Sequence, residues 1–114
     1  MGEKATDGNI EVYLKGGVNM DQSLVLAKFM NKTMENPDHT ISFAFSKDDN
    51  GKYLVQMVSD RDKANTLAEA DLKEMASRIS STVADGHVVV FELTDDRFNS
   101  FRSVESQGDP TNNQ

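Results

Sequence analysis

The chain of 114 residues contains no cysteine and no tryptophan, and it has only two prolines and two histidines. Without cysteine it has no disulfide framework, no thiolate nucleophile and no cysteine-ligated zinc or iron–sulfur site. It also lacks a run of about 18 apolar residues, the length that a membrane-spanning helix requires. Its start, MGEKATDGNI, is too polar to predict a signal peptide. We therefore expect a cytoplasmic protein with no membrane contact.

Positive charge is also scarce. The 12 Lys and Arg residues stand against 19 Asp and Glu residues, so the formal net charge is −7. Affinity for nucleic acid comes largely from Lys and Arg side chains that displace counterions from phosphates. This composition therefore argues against direct binding of nucleic acid. The hydrophobic fraction of 37% and the charged fraction of 27% are typical of one globular domain at this length.

Hydrophobic periodicity divides the chain into strands and helices. Alternation of apolar and polar residues indicates a half-buried strand, and apolar residues three and four apart indicate an amphipathic helix. The predicted elements are a strand over Ile10–Lys15, a helix over Asp21–Asn36, strands over Thr40–Phe45 and Tyr53–Val58, a helix over Thr66–Asp85 and a strand over His87–Leu93.

Short motifs mark the boundaries of these elements. Asn19 and Gln22 have the spacing of a capping box at the start of the first helix, and Thr66 and Glu69 have it at the start of the second. The dipeptide Asn50-Gly51 accepts the left-handed dihedral angles of a tight turn, which predicts a hairpin between the second and third strands.

The two ends of the chain lack such patterns. Residues 1–9 are interpreted as a flexible N-terminus, residues 10–104 as one domain and residues 105–114 as a disordered tail. After the last strand, the segment Thr94-Asp95-Asp96 is placed to cap a short C-terminal helix that would carry Phe98, Phe101 and Val104.

The order strand, helix, strand, strand, helix, strand predicts an α+β fold. With a right-handed crossover in each strand–helix–strand unit, it gives a ferredoxin-like split βαβ plait (β-α-β-β-α-β): a four-stranded antiparallel sheet with two helices on one face. The core would come from the apolar stripes of the two helices and from the strand faces that carry Ile10, Val12 and Leu14, Phe43 and Phe45, and Phe91 and Leu93.

The opposite face of this sheet is too apolar for full solvation and too polar for a second core. An exposed patch of this kind often marks an interaction site. It is covered either by the segment Phe98–Val104 of the same chain, by a second copy or by another protein. The candidate interaction residues are Tyr13, Gln56, Val88, Val90, Phe98 and Phe101.

Candidate catalytic and metal sites each have a simpler explanation. The loop Ser46–Gly51 places Met57 where a calcium loop needs a bidentate glutamate. His39 and His87 lack ligand partners at metal-binding spacing, and the paired aspartates lie in polar turns. The segment after Asn50 lacks the second aromatic residue of an RNA-recognition motif. These observations favour a non-enzyme without a cofactor.

The loop between the first strand and the first helix is the candidate ligand-binding site. Gly16, Gly17 and Asn19 precede a helix N-terminus, which attracts anions through its free amide groups. A regulatory domain that senses a small anionic ligand here is therefore one alternative function.

A small acidic domain without catalytic motifs resembles inhibitor and adaptor proteins, including phage-encoded modulators of host factors. We predict a binding or regulatory protein that acts through protein–protein contacts on a basic or nucleic-acid-processing partner, because opposite charge speeds encounter. The other alternative is a homo-oligomeric assembly subunit, either a homodimer or a higher oligomer.

Overall fold

The computed structural model describes residues 3–35 and 37–106. Its elements are six strands and three helices. In chain order they are β1 (Lys4–Asp7), β2 (Ile10–Gly16), α1 (Met20–Thr33), β3 (Ile41–Lys47), β4 (Tyr53–Val58), α2 (Arg61–Thr66), α3 (Glu69–Val83), β5 (Val89–Thr94) and β6 (Ser100–Glu105).

The strands form one mixed sheet in which spatial order follows chain order, β1-β2-β3-β4-β5-β6. β2 pairs in parallel with β3, and β4 pairs in parallel with β5, whereas the other three pairs are antiparallel. The prediction of a four-stranded antiparallel ferredoxin-like plait is therefore wrong. Each crossover joins two adjacent parallel strands, so neither βαβ unit is split by an inserted strand.

All three helices lie on one face of the sheet. α1 packs over β1 and β2, α3 packs over β5 and β6, and the two helices contact each other. The two strands of the pair β2–β3 point in the opposite direction to those of the pair β4–β5. Both crossovers nevertheless step across the sheet in the same direction, toward β6. These crossovers consequently have opposite hands, and the right-handed rule used above holds for only one of them.

The core lies between this helical layer and the sheet. Its fully buried side chains come from both layers. The apolar faces predicted for the strands that form β2, β3 and β5 are confirmed. The largest of these side chains are Phe43, Phe45, Ile10, Leu26, Met30 and Ile79.

Capping explains where two of the helices begin. The Asn19 side chain accepts a 2.8 Å hydrogen bond from the Gln22 backbone N–H, and the Gln22 side chain completes the predicted capping box of α1. The second predicted capping box is wrong. Thr66 ends the short helix α2, which Asp60 caps, and two extended residues separate it from α3.

The interpretation of both ends of the domain also changes. Lys4–Asp7, placed in a flexible start, form β1 against β2. The predicted C-terminal helix is wrong, because Ser100–Glu105 form the edge strand β6. Of the tail predicted over 105–114, Glu105 ends β6 and Ser106 is buried, while residues 107–114 lie outside the described part of the chain. In the described part, no helix is both long and apolar enough to cross a bilayer.

Candidate functional site

The sheet face opposite the helices, here called the open face, carries the residues that alternate with the core. On β4, Tyr53 and Val55 are buried in the core. The open face therefore receives Leu54, Gln56 and Val58. The predicted interaction residues Tyr13, Gln56 and Val90 lie on this face and are half-buried.

A polar cluster occupies the half of the open face near β1 and β2. The Glu11 carboxylate accepts hydrogen bonds from Lys4 Nζ at 3.1 Å, Tyr13 OH at 3.3 Å and Ser42 Oγ at 3.3 Å. The bond from Lys4 lowers the pKa of Glu11, and the same bond raises the pKa of Lys4. A carboxylate stabilised in this way is a weak base, so the cluster ties strands together rather than preparing acid–base chemistry.

The half near β4 and β5 is more apolar. Leu54 and Val90 are partners in the β4–β5 register and stand side by side, half-buried. They line a depression of about 350 Å³ whose border includes Lys47, Lys52 and Glu92. An apolar centre within a charged rim is the usual anatomy of a protein-binding patch.

The loop between β5 and β6 folds back over the open face and places Phe98 there. The Phe98 carbonyl accepts a hydrogen bond from Gln56 Nε2 at 3.4 Å, and its ring centroid lies 5.6 Å from Lys15 Nζ. Asp95 holds the loop by accepting from the backbone N–H groups of Asn99 and Arg97, and these bonds lower the pKa of Asp95. Phe98 therefore packs on the open face of its own chain.

The structure does not bring the remaining two interaction candidates to the centre of this face. Phe101 packs against the core cluster, and the Arg61 guanidinium lies 4.5 Å from its ring. Val88 precedes β5, is half-buried, and its carbonyl accepts from the Tyr53 N–H at 2.9 Å. A β-bulge in β6 turns Phe101 toward the helices.

The three residues of the predicted ligand loop, Gly16, Gly17 and Asn19, each have a structural role. Asn19 uses its side chain to cap α1. Gly17 has a φ of +76°, and a Cβ there would lie 2.3 Å from the Lys47 carbonyl oxygen. Gly16 lies at the end of β2 beside a register shift. A tight exit from the sheet thus accounts for these three residues.

A cleft of about 1050 Å³, which the sequence does not predict, lies at the end of the sheet where β3 begins and β4 ends. Its apolar lining includes Met34, Ile41, Met57 and the 39% exposed Leu67. Leu67 is placed there because Leu67 and Ala68 are extended and separate α2 from α3, an interruption that no pattern in the sequence predicts. Within residues 3–35 and 37–106, no group of three or more His, Asp or Glu side chains is arranged to hold a metal ion.

Comparison with known proteins gives a family and nothing more specific. No curated protein and no solved structure matches the chain significantly. A family model described as AF_1994_N, family N-terminal domain, matches residues 4–106, which span β1 through β6. The chain therefore belongs to the AF_1994_N family.

Proposed function

We propose that this protein is a non-catalytic binding module that docks another protein on the open face of its sheet. The carrying observation is the pair Leu54 and Val90, two apolar side chains adjacent in register on a face that no helix of the described residues covers. Burying such side chains fully is worth about 1.5–3 kcal/mol each. The surrounding Lys47, Lys52 and Glu92 supply the polar rim.

The net charge of −7 favours a basic partner, including one that processes nucleic acid, because long-range attraction raises the association rate. We expect that rate to fall as salt is added, since ions screen exposed charges beyond about 10 Å at 0.1 M. The absence of cysteine suits a cytoplasmic setting, which is part of the same proposal.

The test is affinity capture from a lysate of the organism that encodes the chain, with three variants run in parallel. Leu54→Asp and Val90→Asp place a charge in the apolar centre, and we expect each to lose the partner that the native chain retains. Val25→Asp is the matched control, because Val25 is 44% exposed on α1, on the far side of the molecule. Circular dichroism melts check that all variants fold.

Two results would contradict this proposal. The first is that the folded native chain retains no protein. The second is that Leu54→Asp and Val90→Asp retain the same partner as Val25→Asp. A concentration-dependent dimer in sedimentation that both open-face variants abolish would instead identify a second copy of the chain as the occupant.

A second candidate function is favoured by the cleft at the sheet end. Its volume of about 1050 Å³ is at the upper limit of pockets that hold small molecules. The cleft is a better candidate than the Gly16–Asn19 loop, whose residues already have structural roles. Thermal-shift screening against small anionic and apolar ligands, repeated with Met57→Lys, tests this function. Ligands that stabilise both chains equally would exclude the cleft as their site.

A further inference from the structure

We propose that the open face contains a subsite for an aromatic residue of a partner peptide, and that Phe98 of the same chain occupies this subsite in the free protein. The inference deepens the proposed function and rests on it, because an aromatic subsite on this face would serve a protein partner. The chain's own loop shows which chemistry the surface accepts.

The first observation is the pair of contacts that Phe98 makes. Gln56 Nε2 donates to its backbone carbonyl at 3.4 Å, and Lys15 Nζ lies 5.6 Å from its ring centroid. A cation within about 6 Å of a ring face is attracted by the ring quadrupole. The surface thus offers an amide donor to a peptide carbonyl group and an ammonium group to an aromatic ring.

The second observation concerns the strand between these two contacts. Gln56 lies on β4 and Lys15 on β2, so a residue that touches both crosses β3. Ala44 lies on β3 in register with Gln56 on one side and Tyr13 on the other. It is only 1% exposed although it lies on the open face. Because its side chain is small, this position leaves room for a ring above the sheet, and we assign Ala44 as the floor of the subsite.

The third observation is backbone strain at Phe98, whose φ is +63°. A bulky residue rarely adopts the left-handed region, and such strain is commonly found at ligand clamps and switch regions. The loop holds this conformation through the hydrogen bonds that Asp95 accepts. An external aromatic residue carries no such strain, so the strain at Phe98 reduces the advantage that the internal residue gains from its high local concentration.

The test uses a synthetic peptide with the loop sequence DDRFN of residues 95–99, acetylated and amidated, and a DDRAN peptide as control. The receiving chain is Phe98→Gly, because glycine accepts the positive φ and empties the subsite. We expect DDRFN to cause saturable NMR shifts of the Ala44 and Gln56 amides, whereas DDRAN causes none. The native chain should bind at least about tenfold more weakly, since its own Phe98 is present at millimolar effective concentration.

A further variant tests the assignment of the amide donor. Adding Gln56→Ala to the Phe98→Gly chain removes the donor to the peptide carbonyl, together with the 2.9 Å hydrogen bond from Gln56 Nε2 to Glu92, and should weaken DDRFN binding about two- to tenfold. Should Phe98→Gly fail to fold, Phe98→Asn replaces it, since asparagine tolerates the left-handed region and lacks a ring.

Failure of this inference is distinguishable from failure of the proposed function. If the emptied, folded chain shows no shifts with DDRFN up to about 10 mM, or shows the same shifts with DDRAN, the aromatic subsite is refuted even when partner capture depends on Leu54. If DDRFN binds while Leu54→Asp and Val90→Asp capture the native partner normally, the subsite stands and the protein-docking role of the apolar pair is refuted.

Discussion

Replacing Gly17 by alanine tests whether this glycine is needed for packing. Gly17 has a φ of +76°, a region that costs an L-residue about 1–2 kcal/mol. The new Cβ would lie 2.3 Å from the Lys47 carbonyl oxygen. That oxygen belongs to the end of β3, so the backbone itself must move, and overpacking of this kind costs about a further 1–3 kcal/mol. We expect a total loss of about 2–5 kcal/mol in the free energy of unfolding.

Gly86→Ala is the matched control for this variant. Gly86 has a nearly identical φ of +83°, but a Cβ there would meet nothing within 4 Å. The Gly86→Ala variant should therefore lose only about 1–2 kcal/mol in the free energy of unfolding, which is the cost of backbone strain. Urea denaturation of the three chains, followed by circular dichroism, measures both values. The reasoning is refuted if Gly17→Ala loses no more stability than Gly86→Ala.

Three other predictions concern single contacts. Asn19→Ala removes the capping box of α1 and should cost about 1 kcal/mol in urea denaturation; an unchanged midpoint would show that the cap is dispensable. Glu11 has a lowered pKa, so the Lys4–Glu11 pair stabilises β1 above the ordinary Glu pKa of about 4.3 and loses this effect as pH falls through the folded value. The protection factors of the β1 amides, which correct for the slower intrinsic exchange in acid, should therefore fall with pH in the native chain and depend less on pH in Lys4→Met. Arg102 donates from β6 to two carbonyls at the end of α2, so Arg102→Met should cost about 1–2 kcal/mol and increase exchange in α2 more than in α1; equal effects on both helices would contradict this contact.

Local structure was largely predictable from the sequence because side-chain alternation reports directly on one-sided burial. Ile10 and Val12 on β2, and Phe43 and Phe45 on β3, are buried as the alternation predicts. The hairpin at Asn50-Gly51 joins β3 to β4, and Gly51 has a φ of +84°. These features depend on residues close in sequence, so their signal is contained in a short window.

The order of the strands was not predictable in the same way. Alternation shows which face of a strand is buried, but it does not show which strand lies beside it. The handedness rule was applied to both crossovers, and the structure gives them opposite hands. The predicted sheet also lacked β1. The four residues of this strand include only one buried side chain, Ala5, and therefore show no alternation.

The spacing of Phe98, Phe101 and Val104 was misleading for an identifiable reason. Residues three apart normally share a face only in a helix. In β6 an extra residue at the bulge changes the alternation, so Phe101 and Val104 both contact the core cluster although they lie on a strand. Phe98 precedes the strand and turns to the opposite face. The bulge in β6 thus gave a strand the three-residue spacing of apolar residues that is typical of a helix.

The candidate site was predicted in part. Tyr13, Gln56, Val90 and Phe98 were selected from alternation and lie on the open face, and whether they bind a partner stays a prediction. Leu54, the register partner of Val90, was not among the predicted interaction residues. The cleft beside Leu67 was missed because it depends on the extended break that separates α2 from α3.

The two outer strands of the sheet have a consequence for behaviour in concentrated solution. Unpaired backbone groups along a sheet edge recruit strands from other molecules and can start fibrils. β1 offers only four residues for such recruitment, and the bulge in β6 interrupts the regular row of donors and acceptors on the other side. Both edges therefore disfavour growth of the sheet by strand addition, and we expect turbidity and thioflavin fluorescence to stay at baseline on prolonged storage.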